Sequence, residues 1–145
     1  MTPPENDNQL HIVFVCTGNI CRSPMAEIIT RDAMETDMLD LLARVSSCGL
    51  GGWHVGQGAD ERAVAELRRG GHDGANHRAS QLGEEHMDAD LFVAMDTGHR
   101  DALLERGIPK DKVRLMRSFD PNSPEDASVE DPVSYTHLTL PTSDL

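Results

Sequence analysis

Aromatic side chains are scarce in this 145-residue sequence: one Trp, one Tyr and three Phe. A core made here rests on aliphatic residues, and a lone aromatic near a polar motif stands out. Cysteine is also sparse, with Cys16, Cys21 and Cys48 and none afterwards. An odd count in a chain of this size argues against a disulfide framework, so reduced thiols are expected. No C-x2-C or H-x3-H pair supplies the fourth ligand that a zinc site on the three cysteines would need. No metal and no cofactor are expected.

Positive charge is in short supply: 13 Lys and Arg stand against 25 Asp and Glu, for a formal net charge of -12. That balance opposes binding to nucleic acid, which depends on many basic contacts to phosphate. An anionic substrate needs a local positive site. Long apolar runs are missing as well. The first one, Leu10 to Val15, is too short for a signal core or a membrane span, so the expectation is a cytoplasmic protein with no membrane partner.

What is present is an alternation of short apolar strands and helical patterns within one domain, the number that this length suits. Residues 1–9 are polar, contain Pro3 and Pro4, and read as a flexible leader. Residues 10–15 look like a central parallel strand. From Pro24 the apolar positions Met25, Ile28, Ile29 and Ala33 follow helical spacing, with Ser23 as the N-cap and Pro24 at the first helical position. Further strands are expected at 44–48, 91–95 and 113–116, and helices at 60–69 and 101–106. Such alternation predicts right-handed crossovers and a four-stranded parallel sheet flanked by helices on both faces. The fold class is α/β. No pattern after Met116 supplies a closing helix, and the C-terminal helix reads as missing.

The stretch "CTGNICRSP" joins the first strand to the first helix, where open α/β sheets bind ligands against a helix N-terminus. Gly18 and Asn19 tolerate left-handed backbone angles, which lets the loop turn its N–H groups toward one centre. Its favoured guest is an oxyanion. The loop lacks the lysine of a nucleotide P-loop and has a cysteine at its entrance. Oriented amides, the helix dipole and Arg22 all favour a Cys16 thiolate. The planar fork of Arg22 suits two phosphate oxygens. Attack of Cys16 on phosphorus would need an acid for the leaving oxygen, and Asp131 in "VEDP" is the candidate.

Cys-x5-Arg-Ser in "VCTGNICRSPMAE", with "DP" late in the chain, resembles the low-molecular-weight protein tyrosine phosphatase family. The likeness extends through "RVSSCGLGGWHVG" (44–56), "ADERA" (59–63), "HRAS" (77–80), "AMD" (94–96) and "SFDP" (118–121), and it is greatest with the bacterial branch. Residues 10–132 form the phosphatase domain on this reading. The resemblance implies the phosphotyrosine phosphatase I-like fold, with Cys16 as nucleophile, Arg22 as phosphate binder and Asp131 as general acid and later base. Thr17, Gly18, Asn19, Ile20 and Cys21 complete the phosphate loop, and Ser23 donates to the cysteine sulfur. Asn19, Ser47 and His77 support the loop, and Trp53 stands on the cleft wall, where an aromatic suits a substrate phenol ring. Cys21 sits where the family often has a cysteine that pairs with the nucleophile on oxidation. Implied partners are phosphotyrosine proteins or aryl phosphates, with phosphate-like oxyanions as inhibitors.

The pattern breaks after Pro132. Val133 and Ser134 stand where the family usually has two aromatics, Pro141 interrupts any helix, and the tail 133–145 is expected to be foreign to the fold. Two rival functions exist. A thiol-type arsenate reductase shares such a loop but needs two further cysteines after it, near the middle of the chain, and none follows Cys48. A phosphotyrosine-binding relic with a displaced Asp131 would bind without turnover.

Overall fold

A computed structural model describes residues 9–122 and Val129. The leader up to residue 8, Asp131, the tail 133–145 and the expected absence of a closing helix lie outside the described residues.

Four parallel strands form one sheet in the order β2-β1-β3-β4. They are β1 (Leu10–Cys16), β2 (Ala43–Gly49), β3 (Leu91–Ala94) and β4 (Val113–Leu115). β1 is central, with Val13 opposite Ser46 of β2 on one side and Phe92 of β3 on the other. Its near-continuous apolar run follows from burial on both faces. Val13 and Val15 join Phe92, Ala94 and Leu103 in one core cluster, while Phe14 and Cys16 join Val93 and Met95 in the other.

Among the described residues three α-helices accompany this sheet: α1 (Arg22–Thr36), α2 (Glu61–Arg69), which packs on α1, and α3 (Thr97–Glu105). Ala26 of α1 packs on the Phe14 cluster and Leu103 of α3 belongs to the Val13 cluster, so the two faces are covered by different helices. After β2 the chain crosses to the opposite side of β1, which makes the β1–β3 boundary the switch point where such sheets bind ligands.

The starts of the three α-helices differ from expectation. α1 begins at Arg22, with Cys21 in the N-cap position and no side-chain cap. Ser23 therefore lies inside the first turn and its hydroxyl serves another partner. Pro24 is tolerated as third helical residue because N–H groups of a first turn have no intrahelical acceptor. α3 begins four residues before the expected Asp101, since Asp96 caps it: Asp96 Oδ1 accepts from His99 N at 2.9 Å. The polar "DTGH" hides that start. α2 is capped by Asp60, whose carboxylate accepts from Arg62 N at 2.8 Å. The backbone N–H of Asp60 donates to Ile20 O at 2.7 Å and ties the start of α2 to the loop after β1.

Candidate active site

The loop from Cys16 to Arg22 is held by side chains that converge on Asn19. This residue is fully buried and takes the left-handed conformation, φ 60°. Asn19 Nδ2 donates to Ser23 Oγ and to Ser47 Oγ, both at 2.9 Å. Asn19 Oδ1 accepts from Ser80 N at 2.8 Å, and its carbonyl accepts from His77 Nε2 at 2.7 Å. Asn19, Ser47 and His77, picked out in the sequence, therefore meet; Ser80 joins them from the same "HRAS" stretch.

Backbone bonds fix the loop from outside. Leu50 N donates to Cys16 O at 2.9 Å and Gly51 N to Thr17 O at 3.0 Å. Gly49 at the end of β2 lies against this backbone so closely that a Cβ would stand 2.7 Å from Thr17 O. Gly18 does not take the expected left-handed angle, since its φ is not among the positive ones. Its smallness serves another purpose: a Cβ there would press to 2.9 Å from the His54 ring.

Cys16, the last residue of β1, is buried, with Sγ 2.9 Å from Ser23 Oγ and 3.3 Å from Asn19 N. Ser23 already accepts from Asn19, so its own hydrogen can point at the sulfur. Arg22 is buried too, and its Nη1 donates to Asp96 Oδ2 at 3.2 Å and to Val129 O at 2.8 Å. Burial pushes the Asp96 carboxyl up, yet the His99 amide and ring and the Arg22 guanidinium outweigh it and hold the group below its usual range. Beside it, His99 Nε2 lies 2.8 Å from Thr17 Oγ1.

A cavity of about 180 Å³ opens over Cys16 and Arg22, walled by Trp53 and His54. Trp53 is largely exposed. Its ring lies over Gly51, where a Cβ would come within 1.8 Å of it. His54 is oriented by Gln57, with Nδ1 2.9 Å from Oε1. Cys21, buried and outside any disulfide, lines the same cavity. Cys48 is a buried core residue, and its thiol is pushed up to about 12, chiefly by burial and further by Cys16 and Glu85.

The low molecular weight phosphotyrosine protein phosphatase family model matches residues 11–140. The chain belongs to this family. The family match runs eight residues past the expected boundary at 132. A Mycobacterium tuberculosis relative, low molecular weight protein-tyrosine phosphatase A, is 50% identical over 129 residues, spanning 88% of this chain and 78% of the relative. The crystal structure of YfkJ from Bacillus subtilis superposes with a TM-score of 0.81 at 32% identity, covering 88% of this chain and 82% of that one. The structure of a cysteine-to-serine mutant of YwlE, an arginine phosphatase of Bacillus subtilis, with the substituted active-site serine phosphorylated, has a TM-score of 0.74 at 34% identity and covers 85% of this chain and 78% of its own.

Within this family member, reasoning from sequence overlooks Asp96 and Glu27. Asp96 follows the C-terminal end of β3, a position from which α/β sheets supply site residues. That placement was the available signal. Glu27 lies one helical turn after Ser23, on the same side of α1.

Proposed function

We propose that this chain is a protein tyrosine phosphatase that hydrolyses phosphotyrosine and small aryl phosphates through a phosphocysteine intermediate. The observation that carries the reading is the floor of the 180 Å³ cavity, where Cys16 Sγ lies 2.9 Å from Ser23 Oγ and accepts from Asn19 N beside the buried Arg22 guanidinium. The names of the mycobacterial relative and of the family support the reaction class. The phosphorylated serine that replaces a cysteine in the active site of the YwlE mutant supports a covalent phosphoryl intermediate on Cys16.

In the first step the Cys16 thiolate attacks phosphorus, the S–P bond forms and the P–O bond to the aryl group breaks. Arg22 binds two of the phosphoryl oxygens, better as charge spreads over them. Asp131 gives its proton to the leaving phenoxide. In the second step a water attacks the phosphocysteine, Asp131 takes the water's proton, and inorganic phosphate departs as the thiolate returns. Val129, two residues before Asp131 in the sequence, has its carbonyl on Arg22, which supports the assignment of the acid to Asp131. Trp53 offers a flat wall for the phenol ring. Vanadate and phosphate compete for the same loop. Reduced thiols at all three cysteines fit action on phosphoproteins of the cytoplasm.

The test is phosphate release from an aryl phosphate, a phosphotyrosine peptide and a phosphoarginine peptide by the wild type and by Cys16→Ser. Turnover of the aryl and phosphotyrosine substrates, lost in the variant and blocked by vanadate, is expected. Tight binding without release would favour the relic, and turnover confined to phosphoarginine would move the substrate class to that named for YwlE.

A further inference from the structure

The loop's hydrogen-bond chain does not end at Ser47. Both amide hydrogens of Asn19 are used, one on Ser23 Oγ and one on Ser47 Oγ. The amide is locked from its other side, where Oδ1 accepts from Ser80 N. Ser47 must therefore accept from Asn19, and its own hydrogen, inside a buried residue, needs a separate acceptor. Glu27 of α1 provides it: Ser47 Oγ donates to Glu27 Oε1. Arg31, one turn further along α1, donates to Glu27 Oε2 and to Val45 O at 3.0 Å. A carboxylate paired with a guanidinium accepts and cannot donate.

We infer that Glu27 is a positioning residue for the thiolate: it takes the Ser47 hydrogen, and so orders the chain from Ser47 through Asn19 to Ser23 such that the Ser23 hydrogen reaches Cys16 Sγ. The inference rests on the reading of Cys16 as nucleophile and supplies what holds that sulfur's donor in place. Ser23 Oγ has two acceptors in range, Cys16 Sγ at 2.9 Å and Cys48 O at 3.4 Å. It stays a donor to either as long as Asn19 Nδ2 faces it.

Without an acceptor at position 27, the buried Ser47 hydrogen competes for Asn19. Asn19 can satisfy it only by turning Oδ1 toward the serines. A turned amide also draws the Ser23 hydrogen, and the sulfur loses a donor.

The experiment compares wild type, Glu27→Met, Glu27→Gln, Ser47→Ala and the Glu27→Met/Ser47→Ala pair, with Glu27→Ala replacing Met if the longer apolar chain does not fold. Four quantities are read: the melting temperature, kcat and KM on an aryl phosphate, and the pH midpoint of Cys16 alkylation by iodoacetamide. In Glu27→Met the midpoint moves up by about half to one pH unit and kcat falls about three- to tenfold, the scale of one hydrogen bond, with KM little changed. Glu27→Gln, whose carbonyl oxygen still accepts from Ser47, recovers part of both. The double variant is no worse than Glu27→Met, because the hydrogen that caused the conflict has gone with the hydroxyl.

An unmoved midpoint in a folded Glu27→Met protein overturns the inference, including when the melting temperature falls, since a purely structural role would do that. Losses that add in the double variant overturn it as well. Retained turnover in Cys16→Ser would instead remove the reading beneath it, so the two failures are told apart.

Discussion

Arg22 and Asp96 form an ion pair across the mouth of the loop, with Nη1 3.2 Å from Oδ2 and the guanidinium buried. Asp96 performs two tasks at once, because its other oxygen caps α3. The two tasks can be separated by substitution. Asp96→Asn has a single oxygen, which keeps the cap and turns an amide N–H toward Arg22 in place of an acceptor; Asp96→Ala loses both contacts. We expect kcat/KM to fall about threefold to tenfold in the Asn variant and further in the Ala variant, on the scale of hydrogen bonds to charged groups. Only Asp96→Ala should also lose about 1 kcal/mol of stability, the usual worth of an N-cap. Equal stability in the two variants would detach the cap from the account.

Asn19 combines a left-handed backbone with three polar contacts of its side chain, all in a fully buried position. Asn19→Ala keeps the unfavourable backbone angle and leaves Ser80 N and two serines short of a partner, at a cost of about 3 kcal/mol in urea unfolding. Asn19→Gly relieves the angle and recovers about 1 kcal/mol of that loss. An Ala variant as stable as wild type would mean the loop does not depend on this hub.

The cysteines differ in reactivity for a physical reason. Burial first, then Cys16 and Glu85, push Cys48 up to about 12, which leaves it a thiol at neutral pH. Iodoacetamide treatment followed by peptide mass mapping should label Cys16 and spare Cys48 in the folded protein. Early labelling of Cys48 would contradict its place in the core.

Acid should destabilise the fold through His86 before it does so through the carboxylates. Burial pushes this imidazole below its usual range, against the pull of Glu85. The unfolded chain takes up the proton near pH 6.5 while the folded one resists, so it binds more protons and stability falls as pH drops through that value. Asp60, Asp88 and Asp96 are all held below their usual range, and their contribution is lost only at lower pH, as each protonates in the fold. The free energy of unfolding should therefore decline between about pH 7 and pH 5, and His86→Gln should flatten that decline. A wild-type profile flat over this range would rule His86 out as its source.

Much of this molecule is legible in its sequence because local chemistry and tertiary need coincide. The apolar run 10–15 is apolar since both faces of β1 are buried, and "CTGNICR" needs Asn19 in a conformation few other residues take. Agreement ends where a residue's role depends on a distant partner. Ser23 has the composition of an N-cap, but Cys16 Sγ at 2.9 Å takes its hydroxyl into the site. Gly18 looks like a left-handed turn residue and is small for the sake of His54. Glu27 and Asp96 look like ordinary charges on or before a helix, and only the packing of α1 on β2 and the end of β3 beside the loop reveal what they hold.

The central claim is that Cys16 becomes covalently phosphorylated during turnover. Rapid acid quench of the enzyme with an aryl phosphate, followed by mass mapping of the peptide containing Cys16, tests it most directly. A phosphoryl group on Cys16 that appears at the rate of aryl alcohol release, and is absent from Cys16→Ala, is the expected result. Steady turnover with no trapped phosphocysteine, and with Cys16→Ala still active, would contradict it.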